Sequence, residues 1–388
     1  MKTEWVHKKL IDLANYYNGM AFKPSDWVES GIKIIRIEQL NNPLGKYDYF
    51  QGSYPEINAI HNEDLIFSWS ATLKVAIWKW GEGVLNQHLF KVVPFESVDK
   101  YFLYYLLDYN MPKLGESSHG STMKHIKRKE LETYSVSIPS SLSAQRRIAA
   151  ILSSADKVID STRQLIEKYK KMKQGMMEDL LKPKEGWKMV KLGECCEINP
   201  KSDMTIVQDS DVVAFIRMED VSNDGFITSF SERTYKTMQK KGFTIFQNDD
   251  VIFAKITPCM ENGKGALVRN MKSKICMGST EFHVLRACDN VSIDFIYQLT
   301  ISKRFRQKAE MQMTGSAGQQ RVPSAFLENY LISIPFKNDK PNLAEQHRIA
   351  AILSGIDAKI AAEEKVLEKY EKVKKGMMER ILEEKGGV

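Results

Sequence analysis

The sequence has few cysteines, and their placement does not suggest pairing. All five lie in the second half of the 388-residue chain, in an odd number and without a CxxC spacing. Small secreted domains carry dense, paired cysteines, whereas cytosolic proteins keep their thiols reduced. The N-terminal stretch MKTEWVHKKL also lacks the apolar run of a secretory signal. We therefore expect free thiols and a cytoplasmic location.

Long apolar runs and catalytic signatures are absent as well. A membrane span needs about eighteen or more consecutive apolar residues, and the sequence has no such run. GxxxxGK[ST] and HExxH do not occur, and the seven histidines are scattered. Asn199-Pro200 is followed by Lys-Ser and does not match the Asn-Pro-Pro-aromatic signature of amino-methyltransferases. We expect neither a catalytic site nor a bound metal or cofactor in this chain.

The charge of the chain is moderately basic but evenly spread. The net charge is +7 and the pI is about 8.9. Residues 1–141 carry 16 basic and 16 acidic side chains, and residues 185–342 carry 21 and 19, whereas residues 142–184 carry 10 and 5. Nucleic-acid contacts, if present, must therefore come from local clusters in shaped loops.

The most informative feature is an internal repeat. Residues 142–182 and 343–383 align without a gap at an offset of 201, with about half of the positions identical, and both contain RIAAILS. Apolar residues recur every three or four positions, which is typical of a long helix with a coiled-coil-like seam. Such a helix would be roughly 60 Å long. Gly175 and Gly376 lie inside this pattern, where close helix approach or a frayed last turn would accommodate them.

The two preceding regions resemble each other more faintly. Each has a Trp near its start (Trp5, Trp187), an Ile-Arg-x-Glu strand (35–38, 216–219), an acidic-then-apolar strand (64–67, 250–253), a Gly-Ser turn (120–121, 315–316) and a closing strand that ends in Ser-Ile-Pro (134–139, 330–335). Runs of β-branched and aromatic residues predict strands over 33–37, 65–69 and 251–255, which overlap the motifs just named. Helical periodicity predicts helices over 98–109 and 293–311.

This pattern predicts an α+β protein with two similar mixed α/β domains. The predicted segments are domain 1 (1–141), a central long helix (142–184), domain 2 (185–342) and a C-terminal long helix (343–388). If a pseudo-twofold axis relates the repeats, the heads are rotated by about 180° and the two long helices must run antiparallel.

The repeated helix carries a family resemblance. Gln145-Arg146-Arg147-Ile148-Ala149 and Gln346-His347-Arg348-Ile349-Ala350 open a pattern similar to that of type I restriction–modification specificity subunits, and the resemblance covers essentially the whole chain. The first copy departs from the pattern at Ala144, where the second has Glu345.

The resemblance has several implications. Each domain would read one half of a split DNA target, and the helices would set the spacing and dock two methyltransferase subunits, through which a restriction and motor subunit joins. The chain would be non-catalytic. The assembled complex would be an adenine-specific DNA methyltransferase and type I endonuclease, with S-adenosylmethionine, ATP and Mg on the partner subunits.

Candidate DNA contacts are polar side chains in corresponding loops of the two domains. In the first domain they are Ser68, Thr72, Lys74, Lys79, Ser121, Thr122, Lys124, His125 and Lys127. In the second domain they are Lys255, Thr257, Asn262, Lys264, Ser316, Gln319, Gln320 and Arg321.

Plainer interpretations stay open at this stage. The loops can be solvated surface, Trp78 and Trp80 can be core residues, and Arg36 and Arg217 fit internal ion pairs better than DNA contacts. The basic run at 168–173 could follow DNA or simply face solvent. As a whole, the chain could instead be a stand-alone sequence-specific DNA-binding regulator, whereas a nuclease or methyltransferase would need a site that the sequence does not show.

Overall fold

The structure is a computed structural model that describes residues 4–116, 126, 128–239, 242–316 and 318–383. The chain divides into two compact units, which are described separately. The first unit comprises Met1–Arg163 with Lys365–Val388, and the second comprises Gln164–Glu364. Each long repeated helix therefore contributes one segment to each unit.

In its described residues, the first unit contains ten strands and three short or medium helices besides its segments of the long helices. The strands are β1 (Trp5–Lys9), β2 (Ala14–Asn18), β3 (Ile32–Ile35), β4 (Tyr49–Phe50), β5 (Ala59–Ile60), β6 (Leu65–Ser68), β7 (Lys74–Ile77), β8 (Gly83–Leu85), β9 (Leu89–Pro94) and β10 (Ser135–Pro139). The helices are α1 (Ile37–Asn41), α2 (Lys100–Glu116) and α3 (Arg128–Thr133), with 3-10 turns at Leu10–Asp12, Pro24–Asp26 and Glu56–Asn58.

These strands form three sheets. One sheet has the order β2-β9-β6-β7, a second has the order β4-β3-β8-β5, and β1 pairs with β10. All pairings are antiparallel except β3 with β8. Strand β6 is buried on both faces: Leu65 and Phe67 join the main core with Phe102, whereas Ile66 joins a smaller cluster with Trp78. Alternation along the strand thus connects the two cores of the unit.

The long helices are α4 (Leu142–Leu180) and α10 (Leu343–Leu382). Between them in the chain, the second unit has β11 (Trp187–Lys191), β12 (Cys196–Ile198), β13 (Val212–Ile216), β14 (Ser231–Thr234), β15 (Thr244–Phe246), β16 (Asp250–Ala254), β17 (Gly265–Leu267), β18 (Cys276–Gly278), β19 (Phe282–Ala287), β20 (Leu331–Lys337) and β21 (Lys340–Pro341). Its other helices are α5 (Leu192–Cys195), α6 (Tyr235–Met238), α7 (Ile293–Ile301), α8 (Lys303–Glu310) and α9 (Ser324–Asn329), with 3-10 turns at Met204–Ile206 and Met218–Asp220.

The second unit repeats the sheet plan of the first. Its sheets have the orders β12-β19-β16-β17, β14-β13-β18-β15 and β11-β20-β21, and the pairing of β13 with β18 is parallel. Strand β16 again serves two cores, because Val251 and Phe253 join one cluster and Ile252 joins another. The two mixed α/β domains of similar fold and the internal repeat are thus confirmed.

Segments of the two long helices run antiparallel within each unit. In the first unit Asp156 pairs with Lys374 at 2.6 Å and Arg163 with Glu371 at 2.6 Å. In the second, Lys173 pairs with Asp357 at 2.5 Å and Lys170 with Glu364 at 3.2 Å. In both units residue numbers rise along α4 as they fall along α10, so the predicted antiparallel direction is confirmed for these segments.

The repeated glutamine anchors each long helix to its own domain. Buried Gln145 accepts a hydrogen bond from the backbone N of Asp99 at 2.8 Å and donates to the carbonyl oxygens of Pro139 and Ser97. Gln346 accepts from the backbone N of Ser292 at 2.8 Å. Asp99 directly precedes α2, and Ser292 directly precedes α7. The two glutamines therefore fix the start of α4 against α2 and the start of α10 against α7.

Several local predictions are corrected. The strands predicted over 35–38 and 216–219 end at Ile35 and Ile216, because the side chains of Gln39 and Asp220 accept the backbone N–H of Arg36 and Arg217 and turn the chain into a helical segment. The helix predicted over 293–311 is broken at Ser302, which caps α8 through the backbone N of Phe305. The helix predicted over 98–109 begins at Lys100 and continues to Glu116.

Neither predicted explanation of the two repeat glycines agrees with the structure. Helices α4 and α10 continue past Gly175 and Gly376 to Leu180 and Leu382, so neither glycine lies in a frayed end. A Cβ at either position would meet no heavy atom within 4 Å among the described residues, so close helix approach does not account for them. All five cysteines are free, and no described helix has the length and apolarity needed to cross a membrane.

Candidate nucleic-acid interface

The two candidate segments of the second unit lie side by side. The backbone N of Thr257 donates to the carbonyl oxygen of Gln320 at 3.0 Å, and the N of Gln320 donates to Oγ1 of Thr257 at 3.1 Å. The N of Val322 donates to the carbonyl oxygen of Lys255 at 2.9 Å. We call residues 255–264 together with 314–316 and 318–321 the second-unit loop pair. Segments separated by about 60 residues in sequence therefore form one surface.

The first unit joins the corresponding segments in the same way. The backbone N of Ile126 donates to the carbonyl oxygen of Trp69 at 2.8 Å. Trp69 lies two residues beyond Phe67 in β6, as Lys255 lies two residues beyond Phe253 in β16. The bond is therefore the counterpart of the Val322–Lys255 bond. We call residues 68–74 together with Ile126 the first-unit loop pair.

Four of the predicted side chains in the second-unit loop pair are available for contacts with a ligand. Asn262, Ser316 and Gln319 are exposed, and Lys255 is half-buried at the junction of the two segments. Gly263 has a φ of +83°, and a Cβ there would lie 2.8 Å from the carbonyl oxygen of Asn223. The turn that presents Asn262 therefore requires glycine at the next position.

Lys264 and Arg321 instead have partners inside the unit. The Lys264 Nζ donates to the carbonyl oxygens of Met218 and Val221 at 2.9 and 2.7 Å. Arg321 donates from Nε and Nη2 to Glu281 at 2.9 and 2.8 Å, and this hydrogen-bonded guanidinium lowers the pKa of the Glu281 carboxyl. Both side chains shape the loop pair, and a DNA contact would have to use their remaining donors.

The predicted residues of the first unit divide similarly. Thr72 and Lys79 are exposed. Ser68 is fully buried and donates to the carbonyl oxygen of Ser70, whereas the Lys74 Nζ donates to the carbonyl oxygen of Leu40 at 2.6 Å. The remaining predicted contacts, Ser121, Thr122, Lys124, His125 and Lys127, lie outside the described residues.

Sequence reasoning missed the arginine that supports the second-unit loop pair from inside. Arg306 is buried, and its guanidinium donates to the carbonyl oxygens of Thr300, Met260 and Lys264. Burial lowers the pKa of Arg306 to about 10. It belongs to the run Lys303-Arg304-Phe305-Arg306, a basic cluster that could have been identified from the sequence.

The same run also supplies exposed positive charge next to the loop pair. Lys303 and Arg304 are exposed and, with Asn262 and Gly263, line a cavity of about 850 Å³ in the second unit. These two cations are thus further candidates for phosphate contacts, because cationic side chains beside a polar loop suit that role.

The structure also decides several open interpretations. Trp78 is fully buried and packs against Trp80, so both are structural. Arg217 pairs with Asp220 and Glu219, and Arg36 pairs with Asp48. The basic run at 168–173 is divided, because Lys168 and Lys171 are exposed whereas Lys170 and Lys173 pair with acidic residues of α10. Among the described residues, no group of three or more His, Cys, Asp or Glu side chains could hold a metal ion.

Comparison with known proteins agrees with this architecture. The family model described as "Type I restriction modification DNA specificity domain" matches residues 2–171 and again 184–372. The specificity subunit of the type I restriction enzyme EcoAI from Escherichia coli is 42% identical over 168 residues, which are 42% of this chain and 27% of that protein. The MjaVIII specificity subunit from Methanocaldococcus jannaschii is 23% identical over 98% of this chain and 92% of its own length. The match to the E. coli relative thus spans about a quarter of that protein.

Solved structures show the same fold. The S subunit of a type I system from M. genitalium has a TM-score of 0.56 at 12% identity, covering 98% of this chain and 96% of that one. A chain from a study of complex assembly and conformational transition in the type I R-M system also has a TM-score of 0.56, at 16% identity, covering 98% of both chains. Because the family model matches both halves of the sequence, the chain belongs to the family of type I restriction–modification DNA specificity subunits.

Proposed function

We propose that this specificity subunit reads a DNA target made of two unlike half-sites, one for each unit, while its repeated helices dock methyltransferase subunits. A restriction and motor subunit joins through that complex. The chain supplies recognition and no catalysis. S-adenosylmethionine, ATP and Mg are bound by the partner subunits.

One observation carries the proposal. The two units share a sheet plan and join corresponding loops by the same backbone hydrogen bond, Ile126 to Trp69 and Val322 to Lys255. The side chains on these loops differ, since Thr72 is exposed in the first-unit loop pair and Asn262 and Gln319 are exposed in the second-unit loop pair. Equivalent scaffolds with unlike polar side chains suit the reading of two different base sequences.

The charge distribution indicates that the chain needs partners for tight binding. Neutralisation of phosphates supplies most non-specific affinity for DNA. The stretches 1–141 and 185–342 are close to neutral, with 16 basic against 16 acidic and 21 against 19 side chains. We therefore propose that the methyltransferase subunits clamp the duplex while base choice stays with this chain. Half-site centres about one DNA turn apart, roughly 34–36 Å, suit this arrangement.

A binding experiment tests the proposal. The purified chain is titrated onto a library of DNA duplexes, alone and with its methyltransferase subunit, and bound sequences are recovered. We expect weak binding by the chain alone, and tight selection of a bipartite sequence by the complex. Tight, sequence-specific binding by the chain alone would favour a stand-alone regulator. Methyl transfer from S-adenosylmethionine by the chain alone would refute the non-catalytic role.

A further inference from the structure

The ion pairs between α4 and α10 fall into two classes when they are compared through the repeat. Asp156 and Asp357 are equivalent positions, as are Lys173 and Lys374, each 201 residues apart. The pairs Asp156–Lys374 and Asp357–Lys173 are therefore two copies of one interaction. Each helix carries both partners, so this interaction sets the antiparallel register without distinguishing the first repeat from the second.

The second class breaks the symmetry of the repeat. Arg163 is equivalent to Glu364, and Lys170 is equivalent to Glu371. In the first unit Arg163 pairs with Glu371 at 2.6 Å, and in the second Lys170 pairs with Glu364 at 3.2 Å. Both cations lie on α4 and both anions lie on α10.

This distribution has a consequence for any other pairing of the helices. If α4 paired with a second α4 in the same register, Arg163 would face Lys170. If α10 paired with a second α10, Glu364 would face Glu371. Both alternatives bring like charges together at two places, whereas the observed pairing brings opposite charges together at both.

We propose that Arg163, Lys170, Glu364 and Glu371 form a charge code that makes the pairing of the repeated helices heterotypic. The α4 surface fits an α10-type helix and is not complementary to a second copy of itself. A single exposed ion pair contributes little, but specificity depends on the difference between two attractive and two repulsive pairs. The code would thereby keep two units with unlike recognition loops on one DNA target, a consequence that rests on the proposed function.

The code can be tested with full-length variants of unchanged net charge. In K170E/E371K, Arg163 faces a lysine at position 371, and Glu364 faces a glutamate at position 170. R163E/E364K likewise creates one acidic and one basic clash. The fourfold variant R163E/K170E/E364K/E371K restores both attractions with their direction reversed. Lys170 also contacts Asp224 at 3.3 Å. This contact involves only one of the substituted positions, so its loss contributes equally to K170E/E371K and to the fourfold variant. It therefore cancels when the sum of the two twofold losses is compared with the fourfold loss.

Thermal unfolding is followed by circular dichroism without DNA or partners, so the outcome is independent of the proposed function. We expect each twofold variant to lower the midpoint by about 2–4 °C. The fourfold variant should recover at least half of the combined loss. If the losses of the twofold variants simply add, or if neither variant loses stability, the charge code is refuted.

Discussion

At the residue scale, the hydrogen bonds separate side chains that can reach DNA from those that hold the loops. Lys255 and Lys264 belong to the same loop, yet only Lys264 has its Nζ bound to two carbonyl oxygens of the second unit. The sequence identified both lysines but could not rank them, because Met218 and Val221 lie more than 40 residues away.

The two lysines therefore provide a matched pair of variants. K255A should weaken binding of the assembled complex to one half-site by about 1–3 kcal/mol if the residue makes a base contact, and it should leave unfolding almost unchanged. K264A should lower the free energy of unfolding as well, because two carbonyl oxygens in part-buried hydrogen bonds lose their donor. Chemical denaturation and DNA titration of both variants measure the two effects. Equal unfolding stability of K264A and wild type would contradict the structural role.

The Arg217–Asp220 pair predicts a pH dependence. The buried Asp220 carboxylate accepts hydrogen bonds from Arg217, both through its guanidinium and through its backbone N, and from Ser229, which hold its pKa well below the usual range. A lowered folded-state pKa contributes stability above the unfolded-state pKa of about 4, and this stability is lost as the pH falls through the folded-state value.

D220N should therefore cost about 1–3 kcal/mol at pH 7. It should also lose less stability than wild type between pH 5 and strongly acidic conditions. The exposed Asp289 offers a matched Asp-to-Asn control, since D289N removes a carboxylate that accepts none of these hydrogen bonds. Urea denaturation at a series of pH values provides the measurement. A D220N profile parallel to that of wild type would show that this carboxylate does not carry the dependence.

At the element scale, the sequence predicts long, periodic helices well and local interruptions poorly. The repeats at 142–182 and 343–383 agree closely with α4 and α10, because their apolar stripe persists for many turns. The break at Ser302 and the short turn after Ile35 depend on single side chains that bond to the backbone, and the apolar pattern continues through both. Periodicity alone could therefore not locate them.

The glycines of the repeated helices lead to a stability prediction. Because a Cβ at Gly175 or Gly376 meets open space, alanine adds helix propensity without a clash. G175A and G376A should each stabilise the chain by about 1 kcal/mol. Gly225 is the contrasting control: it has a φ of +99°, and a Cβ there would lie 2.6 Å from the Tyr297 hydroxyl, so G225A should destabilise. Destabilisation by G175A or G376A in thermal unfolding would indicate an unrecognised close contact.

The equivalent glutamines test the anchoring of the long helices. Gln145 has three hydrogen bonds to its domain, whereas Gln346 accepts one bond and its Nε2 has no partner among the described residues. We expect Q145A to cost more than Q346A, by an amount on the order of 1 kcal/mol. Denaturation of the two variants decides this, and a larger loss in Q346A would contradict it.

At the scale of the whole molecule, the duplication could be inferred from the sequence, but the loop pairs could not. The repeat and the shared motifs predicted two similar domains and two long helices. The bond between Val322 and Lys255 and the Arg321–Glu281 pair join residues 40 or more positions apart, and the sheets combine neighbouring strands with distant ones, so no local pattern encodes these contacts. The predicted contacts in both domains therefore remain proposals that need a functional readout.

The central claim is that each unit reads its own half-site. The most direct measurement is sequencing-based mapping of methylated adenines on random DNA by the complex with its methyltransferase, using wild type, K255A and K79A. We predict a bipartite, non-palindromic target with unread bases between the halves. K255A should relax selection in one half only, and K79A in the other. A continuous palindromic target, or equal loss of selection in both halves from either single variant, would contradict the two-reader account.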